Sequence, residues 1–94
     1  MRIRFYFDPD TGEPHIHDHG VTEEEVRQVL CGSGEESRAA RGARMKIGQT
    51  AVGRHLQVIY VPDEDSESVF VITAYELRGK AKMAFRRRQR RKPR

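Results

Sequence analysis

His15, His17 and His19 stand at alternate positions in the stretch HIHDHG, and the chain has only one other histidine, His55. Imidazole offers three kinds of chemistry at such a place: it can ligate zinc, move a proton near neutral pH, or, when charged, hold a phosphate. On an extended strand the three rings would share one face, because successive side chains alternate. A His-x-His pair then supplies two zinc ligands, but a site needs three or four. Cys31 lies a helical distance away and Asp18 would face the other side of the strand, so no metal or other cofactor is expected. His19 has a different opportunity, since it lies close before a helix start, where free backbone amides attract anions. Glu23, Glu24 and Glu25 in the first turn oppose that role.

Other groups able to do chemistry fall where strands should end: Arg54, Tyr75, Glu76, Arg78 and Lys80. Arg and Lys can hold a phosphate, and Tyr75 or His19 can exchange a proton. Whether Arg54 and Tyr75 meet depends on strand register, which spacing alone leaves open. The charge distribution carries more weight. Residues 1–77 hold all fourteen acidic residues and eight Lys or Arg, whereas residues 78–94 hold the remaining ten cations and no acid. A cationic segment of that density suits nucleic acid, each neutralised phosphate adding salt-dependent affinity without sequence choice. An acidic protein partner would be drawn by the same field.

The elements that must position these groups are legible in part. RIRFYF alternates, with Ile3, Phe5 and Phe7 on one face, and reads as a half-buried strand; DPDTGEP then turns. Thr22 and Glu25 form a capping box, Val21 can staple against Val26, and Val26, Val29 and Leu30 make an apolar stripe up to Gly32, which predicts a helix over 22–31. Residues 32–43, GSGEESRAARGA, read as an outward loop. RMKIGQT, RHLQVIYV and SVFVITAYE then read as three strands, joined by TAVG and PDEDSE as consecutive antiparallel hairpins, with the third apolar on both faces and so central. One sheet edge is left for RIRFYF. After Gly79, Leu77, Lys80, Ala81 and Ala84 allow a weak helix, and the last six residues are expected to lack order because like charges repel along any helix face.

Ninety-four residues suffice for one small domain with a thin core. The expectation is a single α+β domain over 1–80 with a basic helix or tail over 81–94: an antiparallel four-stranded sheet, a helix in the N-terminal half and a C-terminal helix. No apolar run is long enough to span a bilayer and no secretory signal opens the chain, so a cytoplasmic location without a membrane partner is expected. The single cysteine, Cys31, agrees with a reducing compartment and is expected to pack at the helix end.

The order of FYFDPD, HDHGVTEEEVRQVL, IGQTAVGRHLQVIYV and VFVITAYEL resembles the BrnT-type toxins and the related small uncharacterised domains near them. The matching positions are Asp8-Pro9, His19-Gly20-Val21-Thr22, Ile47-Gly48 through Gly53-Arg54, and Ile72-Thr73-Ala74, and they cover most of the chain. The resemblance implies a fold similar to RelE ribonucleases, RNA as substrate, a DNA-binding antitoxin protein as a second partner, and metal-free cleavage by attack of a ribose 2′-hydroxyl on the adjacent phosphate. His19 and Arg54 carry over by position. Departures are visible too: Tyr75 stands where the toxins continue with Arg, Ala81-Lys82 where a Glu-Arg pair aligns, and Asp18 where Lys is usual. The expected catalytic set is His19, Arg54 and Tyr75, and the expected RNA-binding set is Arg78, Lys80, Lys82, Arg86, Arg87, Arg88, Arg90 and Arg91. Two readings stay open: an endoribonuclease toxin, or a non-enzymatic RNA- or protein-binding module on the same fold.

Overall fold

The computed structural model describes residues 1–64 and 67–91. Five strands, β1 (Arg2–Phe5), β2 (Gly34–Arg38), β3 (Arg44–Gln49), β4 (His55–Pro62) and β5 (Ser68–Glu76), form one sheet in the order β1-β5-β4-β3-β2. Helix α1 (Glu23–Cys31) follows a 3-10 turn at His15–His19, a second 3-10 turn lies at Ala40–Gly42, and α2 (Gly79–Arg91) closes the described chain. The α+β class holds. The four-stranded antiparallel sheet does not: β1 pairs parallel to β5, and β2 adds a fifth strand antiparallel to β3.

Both differences have physical causes. The segment read as an outward loop pairs with β3 from Gly34↔Gly48 to Arg38↔Arg44. An edge strand needs only backbone hydrogen bonds on one side, so its side chains can be polar and leave no apolar alternation to detect. Gly34 permits the approach, since a Cβ there would lie 2.2 Å from the Ile47 carbonyl oxygen. β1 does occupy an edge, but the chain leaves it through the 3-10 turn and α1 rather than a hairpin, so nothing forces it antiparallel to β5. The hairpins β3–β4 and β4–β5 form as expected, although Asp65 and Ser66 of the PDEDSE connection lie outside the described residues.

The helix start is built as the sequence demands. Thr22 Oγ1 accepts from the Glu25 amide at 3.2 Å, and Glu25 Oε1 accepts from the Thr22 amide at 3.0 Å. Val26, Val29 and Leu30 bury against Leu56, Val58 and Tyr60 of β4 and Val69, Val71 and Ala74 of β5, with Ile16 and Val21 in the same core. β5 is apolar on both faces partly because of a bulge. Ile59 pairs with Thr73 but Tyr60 with Val71, so Val71 and Ala74 both face α1 and Ile72 is displaced outward. At the other end of α1, Lys46 from β3 donates its ammonium to the carbonyls of Leu30 and Gly32 at 3.1 and 2.6 Å, capping the helix. Cys31 is exposed there, not packed, because it lies off the buried stripe of Val26, Val29 and Leu30.

The opposite face of the sheet carries α2. Phe85 is buried with Ile47 and Leu77 and meets the His55 ring edge-on at 5.8 Å. Arg88 reaches Glu35 on β2 at 2.7 Å. The expected disorder of the last residues does not extend to Gln89–Arg91, which are helical; Lys92, Pro93 and Arg94 lie outside the described residues. The repulsion along the helix is offset by this docking and by cations near the C-terminal end of the helix dipole. No helix among the described residues is long and apolar enough to cross a membrane.

Because Phe85 is the buried anchor of α2, Phe85→Ala is expected to cost about 3 kcal/mol and to release the helix. Far-UV circular dichroism should lose helical signal, and hydrogen exchange should accelerate over 79–91 while the amides of β4 and β5 stay protected.

Candidate functional site

Gly20, with φ +70°, ends the 3-10 turn in the left-handed region, where a side chain would be strained. In this turn the histidines do not share one face as they would on an extended strand. His15 and His19, four residues apart, meet edge-on at 5.2 Å, whereas His17 points away between Glu13 at 3.2 Å and Glu23 at 2.8 Å. Those carboxylates, Glu23 foremost, raise the proton affinity of His17. His15 Nδ1 lies 3.5 Å from an Asp18 oxygen and 3.8 Å from Asp8. Asp8, His15 and Asp18 present ligand atoms within 4.8 Å of one another, a grouping hidden by the strand reading, which put Asp18 on the opposite side.

The three expected catalytic residues come to one corner. The His19 ring stands 5.9 Å from Tyr75, completing a row of rings from Tyr6 through His15. Tyr75 accepts a hydrogen bond on its hydroxyl from Gln57 at 2.9 Å. Arg54 binds the segment next to His19 through the Gly20 carbonyl, at 2.9 Å. Its guanidinium is occupied, however: Nη1 donates to both Glu25 oxygens at 2.9 and 3.0 Å, and Nε lies 3.4 Å from Glu76. Burial opposes ionisation of Glu25, but the Thr22 amide and Arg54 outweigh it and hold the carboxyl below its ordinary value. In this corner Arg54 closes a structural clamp around the capping box.

The expected RNA-binding cations divide into two kinds. Arg78 pairs with Glu76 at 3.4 Å, and Arg88 pairs with Glu35. Lys80, Arg87 and Arg91 are exposed on α2. Lys82, Arg86 and Arg90 follow the i, i+4, i+8 spacing of one helix face and line a cleft of about 540 Å³ between α2 and the β3–β4 turn. Gln49, Gly53, His55, Phe85 and Gln89 complete its lining, which contains no carboxylate. The side chains of Lys82, Arg86 and Arg90 have no ion-pair partner among the described residues.

His55 is the residue that reasoning from the sequence passed over. It is buried, with Nδ1 shielded from solvent and without a hydrogen-bond partner. Burial first, then Lys82 and Arg86, pushes its imidazole below the ordinary value, so it is neutral at neutral pH. Its position opposite Gln49 across the TAVG turn was available as a signal, but the cations come from α2, whose docking was not. Comparison of the chain with protein-family models, with curated proteins and with solved structures gives no match.

Removing the clamp should weaken the fold. Arg54→Ala is expected to cost about 2 kcal/mol, seen as a lower urea midpoint. Glu25 has a lowered folded-state pKa, so its contribution is full above its reference value of 4.5 and is lost as pH falls through the lower folded value. In Arg54→Ala that part of the acid-induced loss of stability should shrink.

Proposed function

We propose that the protein binds RNA through the cationic face of α2, without cleaving it. The observation that carries this reading is the cleft lined by Lys82, Arg86 and Arg90, where three cations lie together with no acid to neutralise them. Unpaired cations on a docked helix keep their charge for phosphate oxygens, and a helix already held by Phe85 loses little further freedom on binding. The choice of RNA rests on the resemblance to BrnT-type toxins. Binding without cleavage is favoured because Arg54, the cation nearest the His19-Gly20 segment, is held by Glu25 and Glu76 instead of being available to a scissile phosphate. The cleavage reading has one observation of its own, the proximity of His19 and Tyr75.

The test is a salt titration of binding to a single-stranded RNA. Replacing Lys82, Arg86 and Arg90 together by Ala should reduce the slope of log affinity against log salt by roughly 2, at about 0.7 per lost phosphate contact. An unchanged slope would show that the cleft is not where RNA binds. The RNA should emerge intact from prolonged incubation; cleavage that disappears in both His19→Ala and Tyr75→Phe would replace this reading by the enzymatic one.

A further inference from the structure

We propose that the cleft between α2 and the β3–β4 turn takes a terminal phosphomonoester, so that the protein holds an RNA strand by its end. The inference rests on the RNA reading above and names the group recognised within it. An internal phosphodiester has a single negative charge and two free oxygens. A monoester carries about −1.5 to −2 near neutral pH and three acceptor oxygens. The cleft answers the second demand better. Lys82, Arg86 and Arg90 line one wall with their cationic side chains; Gln49 and Gln89 also line the cleft, their amide nitrogens donating to the Gly53 carbonyl at 3.3 Å and to Glu35 at 3.4 Å. Its volume of about 540 Å³ lies within the range of roughly 300–1,000 Å³ for small-ligand sites, which suits a terminal nucleotide.

The arrangement along α2 separates two subsites. From Lys82 to Arg90 the helix rises about 12 Å, too far for one phosphate to touch all three cations with equal contacts. Lys82 and Arg86 lie close enough to His55 to depress its proton affinity, whereas Arg90 is one turn farther along. Lys82 and Arg86 therefore hold the terminal group above His55, and Arg90 meets the next linkage of the strand. His55 is among the lining residues of the cleft; it is 8% exposed, and its Nδ1 has no hydrogen-bond partner among the described residues. A neighbouring dianion reverses the electrostatic effect of Lys82 and Arg86, so occupancy of the cleft draws a proton onto His55.

The elements packed around the imidazole contribute few other charges. Gln49 faces it from β3, and Phe85, Lys82 and Arg86 face it from α2. None of these is an acid, and Lys82 and Arg86 act on His55 in the same direction. Some cations elsewhere are neutralised, Arg4 with Asp63, Arg54 with Glu25 and Glu76, and Arg88 with Glu35. Lys82, Arg86 and Arg90 have no such ion pair among the described residues.

The experiment compares one short single-stranded RNA carrying a 5′-phosphate, a 3′-phosphate or hydroxyls at both ends, with affinities read by fluorescence anisotropy on the full chain. One of the phosphate-ended forms should bind about tenfold tighter than the hydroxyl-ended form, and which one does so identifies the strand end. Arg86→Ala should abolish the preference, whereas Arg27→Ala, which removes the same charge from α1, should keep it. In an NMR titration the His55 pKa should rise on addition of the preferred RNA. Equal affinity for all three RNAs, still weakened by replacing Lys82, Arg86 and Arg90, would overturn end recognition and leave RNA binding standing. Failure of all three to bind would overturn the RNA reading and the end-recognition proposal together. A preference that survives Arg86→Ala would place the terminal group outside the cleft and overturn the assignment.

Discussion

The guanidinium of Arg54 joins three separate segments of this fold. From just after the β3–β4 turn it binds the carbonyl of Gly20, both oxygens of Glu25 at the start of α1, and Glu76 at the end of β5. Glu25 is also the acceptor for the Thr22 amide, so a capping box that elsewhere serves only its own helix is here tied into the sheet. The tie links the 3-10 turn, α1 and the end of β5 beside the place where His19 meets Tyr75. A charge so engaged is costly to remove and equally hard to reassign. A phosphate approaching Arg54 would meet a cation whose Nη1 and Nε already face two carboxylates in partly buried surroundings.

Local chemistry was legible in the sequence wherever a side chain reports on its own backbone. Thr22 and Glu25 marked the start of α1, Val26, Val29 and Leu30 marked its buried face, and the alternation of Leu56, Val58 and Tyr60 marked β4. Long-range pairing was legible only where a short turn imposed it. β2 escaped because an edge strand built of Gly34, Glu35, Glu36, Ser37 and Arg38 has no apolar pattern, and the parallel pairing of β1 escaped because no connection encodes it. The 3-10 turn at His15–His19 reads identically to an extended segment in composition, yet it separates His17 from the other two rings. His19 and Arg54 could be grouped from the order of motifs, with Tyr75 added only as a polar residue at a strand end; the cleft at His55 could not be read, since half of it arrives on a helix signalled by one phenylalanine among cations.

That phenylalanine decides what kind of binding surface the basic segment becomes. A disordered cationic tail can meet phosphates too, but it must be ordered as it binds, and it presents charge without shape. Phe85 and the Arg88–Glu35 pair fix α2 against the sheet, which leaves Lys82, Arg86 and Arg90 at set positions over His55 and the β3–β4 turn. The ion pair at Arg88 is therefore complementary to the open cations beside it: one arginine is given up to the scaffold so that its neighbours stay free and in place. In the same way Glu25 and Glu76 absorb the charge of Arg54 on the other side of the sheet. Arg54 and Arg88, which carry structure, are matched with acids, whereas Lys82, Arg86 and Arg90 have no ion-pair partner among the described residues, so the cleft keeps its positive charge.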